Sequence, residues 1–242
     1  QETVISAMTI SRVIQTSKEA IVKNISPLSK LIFDTLQIDQ LCAKEVALDI
    51  IKGISKLFEE GKSDISSQFM QPIISLLECD QPDLIKHVLS TFKSLLNCTD
   101  IDTNLIGPVL QILSKLIESP NVLTAHVLDV ISALVFSAGE DVAPYVEVLL
   151  PLIIQTASIS EDDDPMLKAN SIEALSNILR FANLSDELIN QSLDLIVKSG
   201  QTADYDIRGS VMSSISNILV SKLPQVINFS EPIQELISVY IN

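Results

Sequence analysis

The sequence predicts an all-α fold, a right-handed α-α superhelix of about six antiparallel helix pairs, and three observations carry that prediction. Of 242 residues, 47% are hydrophobic but only 4% aromatic, and Trp is absent, so the core has to be built from Leu, Ile and Val. Six Gly leave few tight turns, which disfavours an all-β chain and a phosphate-binding loop alike. Finally, one apolar position recurs at near-constant spacing. Ile10, Ile51, Phe92, Ile131, Leu175 and Ile215 follow one another at intervals of 41, 41, 39, 44 and 40 residues.

Each first helix of a pair is read from that column and its neighbours. Three residues earlier stand Ala7, Leu48, Leu89, Leu128, Ile172 and Met212, and three residues later Val13, Ile54, Leu95, Leu134, Ile178 and Ile218. Positions three apart share one helical face, so all three columns mark the buried stripe. The tetrapeptide Ser176–Leu179 reappears unchanged as Ser216–Leu219. The second helix of a pair is the apolar run that follows, and in five pairs it carries a proline: Pro27, Pro72, Pro108, Pro151 and Pro232. The fifth pair, with its run over 186–198, has none. A proline inside a helix removes a hydrogen bond and bends the axis, so a recurrent one predicts a recurrent curve. Polar stretches such as 80–83, 119–121, 162–165 and 202–204 supply caps, while Gly61, Gly139 and Gly200 fall where helices stop. The pairs so defined run approximately over 1–38, 39–80, 81–119, 120–160, 161–200 and 201–242, as a single array. Because the chain starts on Gln1 and ends on an apolar face, the reading expects flanking repeats of the same chain.

Thirty-one Asp and Glu against 16 Lys and Arg give a formal charge of −15. Such a surface repels nucleic-acid phosphates and anionic lipid and attracts basic protein segments, although it also serves to keep an aliphatic chain soluble. Cys42, Cys79 and Cys98 are odd in number and flank apolar runs, which predicts free, mostly buried thiols in a reducing, cytoplasmic and nuclear setting. The longest apolar run, 146–154, contains Glu147 and Pro151 and falls well short of the ~20 residues of a membrane span. Catalytic and nucleotide-binding motifs are absent from the sequence, and His87 and His126, 39 residues apart, have no ligand-spaced partners. The chain is therefore expected to be no enzyme and to hold no metal or cofactor.

The residues Asp204-Tyr205-Asp206-Ile207-Arg208-Gly209-Ser210-Val211 resemble the HEAT-repeat signature, an Asp followed by a hydrophobic-Arg pair entering a first helix. Lys44 and Lys168 stand at the matching position, with Asp39 and Asp163 upstream, while Ile85 and Thr124 depart from the pattern. The resemblance implies a structural ladder of Asp39, Lys44, Asp163, Lys168, Asp204 and Arg208 that ties neighbouring repeats of a HEAT/armadillo-type solenoid. A second stretch, from Ser137 to Ile153, contains Gly139-Glu140, Pro144-Tyr145 and Leu149-Leu150-Pro151-Leu152. It resembles the turn and second helix of repeats in importin-β (karyopherin β) transport receptors. That likeness implies nuclear import, with basic cargo held on an acidic concave face, the small GTPase Ran as a partner and Phe-Gly nucleoporin segments taken into clefts. Similar turns occur in HEAT scaffold or regulatory regions of phosphatases, large kinases and translation regulators, which form the alternative reading.

Two groups of residues stand out as candidate binding elements. The acidic run Glu161, Asp162, Asp163 and Asp164 could hold a partner, or could be a solvated loop that caps the following helix. Phe136 and Tyr145, beside one turn, could line a cleft that accepts an aromatic residue, or could be ordinary interior packing.

Overall fold

The computed structural model describes residues 2–13, 18–58, 64–118, 123–158, 164–181, 184–221 and 224–241. Among them the regular structure is helical throughout, and the chain divides into two compact units, 1–102 and 103–242. The division falls inside the third predicted pair, whose two helices belong to different units.

The first unit contains α1 (Glu2–Val13), α2 (Lys18–Lys23), α3 (Ile25–Leu36), α4 (Leu41–Leu57), α5 (Asp64–Ser67), α6 (Met70–Leu76) and α7 (Pro82–Cys98). Helix α4 packs between α1 and α7, while α3 and α6 lie behind this row as second helices. The second row is joined by Phe33 of α3 and Phe69, whose ring centroids lie 5.7 Å apart. In the second unit are α8 (Thr103–Glu118), α9 (Thr124–Ala138), α10 (Val146–Ala157), α11 (Pro165–Phe181), α12 (Asp186–Ser199), α13 (Tyr205–Ser221) and α14 (Ser230–Ile241). Two 3-10 segments, Gly139–Tyr145 and Pro224–Phe229, lead into α10 and α14. Here α11 is sandwiched between α9 and α13, with α10 and α12 behind it.

The apolar columns form the core of both units. Leu48, Ile51 and Ile54 of α4 have no exposed surface, and the same holds for Leu89, Phe92 and Leu95 of α7. Leu128, Ile131 and Leu134 of α9 and Ile172, Leu175 and Ile178 of α11 are equally enclosed. In the outermost rows Met212 is half-buried, and the Val13 side chain lies outside the described residues. A helix buried on two opposite sides cannot keep a single narrow apolar stripe. Accordingly α9 buries residues nearly all round, from Thr124 and Ala125 to Leu134 and Val135.

Several of the serines in these interiors have hydroxyls satisfied by their own helix. Ser55 donates to the Ile51 carbonyl at 2.9 Å, Ser114 to Leu110 at 2.7 Å and Ser171 to Leu167 at 2.7 Å. Each bond reaches back four residues, so burial needs no partner elsewhere.

Polar side chains also tie the first helices together. In the first unit the Lys52 ammonium donates to Ser90 Oγ at 2.6 Å, and His87 Nδ1 lies 3.7 Å from Glu45 Oε1, both contacts between α4 and α7. In the second unit Asn170 Nδ2 donates to the Ala125 carbonyl at 2.8 Å, and Asn177 Nδ2 donates to Ser132 Oγ at 2.9 Å and its carbonyl at 3.3 Å. From α13, Ser210 Oγ donates to Glu173 Oε1 at 3.0 Å and Ser214 Oγ to the Ile172 carbonyl at 3.3 Å. Asn170 and Asn177 stand seven residues apart, two turns along one face, so they stitch α11 to α9 in the same way at two heights.

Several expected punctuation marks act differently from the simple reading. Pro27, Pro72 and Pro232 sit third in α3, α6 and α14, where the missing N–H would have had no helical partner. Of the five, only Pro108 and Pro151, sixth in α8 and α10, lie deep enough to remove an internal bond, so the recurrent proline is not a recurrent kink. Gly139 ends α9 at φ +58°, a backbone conformation that disfavours other residues. Gly200 ends α12 in the ordinary right-handed region instead. A Cβ there would come within 2.8 Å of Leu236 and 3.1 Å of Val211, so Gly200 is a packing requirement. Gly61 and the stretch 119–121 lie outside the described residues. Of the three free cysteines Cys98 is buried, Cys79 half-buried and Cys42 exposed, which corrects the expectation of mostly buried thiols. No helix among the described residues is long and apolar enough to cross a membrane.

Replacing Phe92, fully enclosed in α7, by Ala should lower unfolding free energy by about 3–5 kcal/mol in chemical denaturation. Asn177→Ala should cost about 1–2 kcal/mol, because it leaves Ser132 without its cross-helix donor.

Candidate functional site

A cleft of about 570 Å³ opens wholly within the second unit between α8 and α10, the second-row helices of that region. Pro108, Leu110, Val148 and Leu149 give it an apolar floor, and Tyr145 forms one wall. Gln111, Ser114, Lys115 and Glu118 of α8 supply its polar groups. Volume and lining fall in the range of sites that seat a side chain or small ligand.

Local sequence explains the shape. Glycine at 107 has no side chain, and a Cβ there would lie 2.7 Å from Tyr145 Oη and 2.9 Å from its Cε1. The bare backbone of α8 therefore forms the seat against which the Tyr145 ring rests. The 3-10 segment, closed by Pro144, delivers that ring to the start of α10, and Val148 one turn later stands 66% exposed at the cleft. An exposed valine beside a tyrosine and prolines is apolar surface that the described residues leave open to solvent. The charged groups lining the cleft are balanced, Glu118 against Lys115, while the 3-10 segment and α10 add Glu140, Asp141 and Glu147 outside the lining. Sequence reasoning reached Tyr145 but not Gly107, Pro108 or Val148. The available signal was the pair of dipeptides Gly107-Pro108 and Pro144-Tyr145, each placed at a second-row helix.

Phe136 does not share this cleft. Its ring meets Phe181 edge-on at 6.1 Å, and the Arg180 guanidinium lies 5.5 Å from one ring centre and 5.0 Å from the other. Tyr145 instead faces α8, so the two aromatics proposed to line one cleft are directed to different neighbours. The separation follows from helix geometry, since α9 ends before the turn that re-aims the chain at Gly139.

The remaining sequence candidates serve mainly local roles. Glu161, Asp162 and Asp163 lie outside the described residues. Asp164 Oδ1 accepts the Leu167 N–H at 2.9 Å and caps α11. Asp204 Oδ1 accepts the N–H groups of Asp206 and Ile207 at 2.9 and 3.0 Å, capping α13. Arg208 lies over the Tyr205 ring, 5.6 Å from its centre. Asp39 and Lys44 approach to 3.8 Å within the second pair, with Asp39 fully exposed, and Lys168 stands in the first turn of α11. The cross-helix bonds described above are made by Lys52, Asn170, Asn177, Ser210 and Ser214. Among the described residues no group of three or more His, Cys, Asp or Glu is placed to hold a metal.

No protein-family model matches the chain, and no curated protein matches it in sequence. Solved structures do match it. The karyopherin Kap121p bound to the extreme C-terminus of the protein phosphatase Cdc14p aligns over 90% of this chain and 21% of its own, with TM-score 0.72 and 15% identity. The same karyopherin bound to Ste12p gives a TM-score of 0.71 at 15% identity, again over 90% of this chain and 21% of that one. A designed armadillo repeat protein in complex with the peptide (KR)4 aligns over 88% of this chain and 91% of its own, with TM-score 0.64 and 13% identity. The fold is thus an all-α solenoid of the HEAT/armadillo type, and it resembles the karyopherins in structure. The chain spans about a fifth of the length of Kap121p.

The seat at Gly107 is open to a direct test. An Ala inside a helix ordinarily stabilises by about 1 kcal/mol over Gly, but here the clash should reverse the sign and destabilise by about 1–3 kcal/mol. Adding Tyr145→Ala should remove that penalty, and a double-mutant cycle by chemical denaturation measures the coupling.

Proposed function

We propose that this chain is a protein-binding solenoid, part of a nuclear transport receptor that moves between cytoplasm and nucleus. The observation that carries the reading is the cleft between α8 and α10, an apolar lining with Val148 exposed, edged by Glu118 and Lys115 and followed along the chain by Glu140, Asp141 and Glu147. Such a cleft suits a protein segment that offers an apolar side chain beside Lys or Arg. The apolar contact supplies affinity, Glu118 offers a carboxylate to a basic group, and the acidic residues of the neighbouring turn and helix favour encounter with a basic chain over an acidic one. The formal charge of −15 acts in the same direction over a longer range. Structural neighbours support the reading by what they hold: Kap121p is bound to Ste12p or to the end of Cdc14p, and the designed armadillo protein to a peptide of Lys and Arg.

In the finer form of the proposal the basic segment is cargo, Ran in its GTP form displaces it, and Phe-Gly nucleoporin segments bind elsewhere on the solenoid. The chain acts by binding alone and needs no cofactor. A pull-down from cell lysate with and without GTP-locked Ran tests this. Loss of basic cargo with retention of Ran is the expected result. Indifference to Ran together with a stable kinase, phosphatase or ribosomal partner would replace the proposal with a scaffold role. Captured basic cargo should also elute as salt rises, because exposed carboxylates are screened beyond about 10 Å at 0.1 M.

A further inference from the structure

A second concavity opens on the first-helix row, between the N-terminal halves of α11 and α13. It holds about 370 Å³ and lies wholly within the second unit. Glu173 and Asp206 line it as its charged groups, together with Met166 and Tyr205. Tyr205 is 84% exposed although the Arg208 guanidinium lies 5.6 Å from its ring centre, and Met166 is exposed as well, so two large side chains rise at the groove.

Gly209 makes this groove unusual. It is the fifth residue of α13, and it is exposed in the groove. A Cβ built on it would meet nothing within 4 Å. Glycine inside a helix is destabilising relative to alanine, so a reason for it has to be found. At Gly107 and Gly200 the reason is a neighbouring side chain against the backbone, and at Gly139 it is a positive φ. Gly209 has neither. At the corresponding places in α9 and α11 stand Ala125 and Ala169, both buried, so the stacking of first helices accepts a Cβ at this height. What a glycine provides here is a bare stretch of helix backbone open to close approach by a partner.

The lining defines the chemistry of that partner. Glu173 uses Oε1 to accept from Ser210, while Asp206 at the second position of α13 also favours the helix N-terminus. Both carboxylates nevertheless line the groove, and among the described residues no cation lines it with them. We infer that this groove is a second docking surface, specific for a lysine-bearing extended protein segment. Its ammonium is received by Glu173 and Asp206, its aliphatic stem lies along Met166 and Tyr205, and its backbone passes close over Gly209. The surface is separate from the cleft between α8 and α10 and does not depend on the transport reading.

Fluorescence anisotropy of the 242-residue chain with a fluorescein-labelled peptide of alternating Lys and Ala tests the inference. The deciding variants are charge-neutral, so that the general attraction of an acidic protein for a basic peptide is left in place. Gly209→Leu fills the groove without meeting a neighbour at its Cβ and should weaken binding about tenfold or more, with an unchanged or raised melting temperature. Tyr205→Ser should weaken binding as well. Asp206→Asn should reduce both the affinity and its dependence on salt. Wild-type affinity in both Gly209→Leu and Tyr205→Ser, or no binding by the unaltered chain, would overturn the inference. Loss of binding in Val148→Ser alone would place the peptide between α8 and α10, overturning the second surface while leaving the proposed function standing.

Discussion

The structure depends on one packing constraint: a first helix inside the row must be acceptable to its neighbours on both sides. Helix α11 has α9 on one flank, α13 on the other, and α10 and α12 behind it. Three covered sides leave a narrow exposed strip, which explains why apolar residues on such helices outnumber what one amphipathic face requires. It also explains the small residues at crossings, such as Ala125, Ala169 and Ala174, which let backbones approach closely. The apolar burial is the driving force, and it is indifferent to register. The polar contacts discriminate: Asn170 and Asn177 reach carbonyl oxygens only where α11 and α9 are aligned in one way. Sliding by one turn would break those bonds and leave buried amide groups unpaired, a penalty that apolar surfaces sliding over one another do not impose.

The same constraint divides labour between the rows. First helices are close-packed and cross-bonded, while second helices are shielded mainly on their inner side and present their outer residues to solvent. A cleft opens between the second helices α8 and α10, and Gly107, Pro108 and Pro144 shape it, the glycine by seating the Tyr145 ring. Affinity for a partner can then be built from exposed residues such as Val148 without disturbing the core, because nothing of the stacking passes through them. The groove at Gly209 applies this logic to the first row. There the opening comes from the N-terminal halves of α11 and α13, below the level at which Ser214 ties them.

Most of the architecture was legible from the sequence because it rests on local periodicity. The residues at 48, 51 and 54, and their counterparts in the next three pairs, are all fully enclosed, as a helix with 3.6 residues per turn requires. Caps were legible for the same reason: Asp164 and Asp204 act within three residues of themselves. The prolines show where a local rule reaches its limit. A proline at the third position and one at the sixth look alike in a motif, yet only the latter removes a helical bond, and the difference depends on where the helix begins. Likewise the repeated Ser-Asn-Ile-Leu shows only as an identical tetrapeptide in sequence, whereas in its first copy Asn177 crosses from α11 to Ser132 of α9.

The sequence by itself therefore determined the helices, their pairing period, the identity of the buried stripe and the acidic balance of the surface. These follow from the order of neighbours along the chain and from its composition. Only the tertiary structure decided that Phe136 and Tyr145 turn to different neighbours, that Lys52, Asn170 and Asn177 tie adjacent helices, and that Gly107 and Gly209 sit at concavities for opposite reasons. Those outcomes depend on which residues some 40 positions away come within hydrogen-bonding or van der Waals reach. A glycine against a tyrosine ring and a glycine against open solvent read identically in one dimension, because what distinguishes them is the space above the backbone.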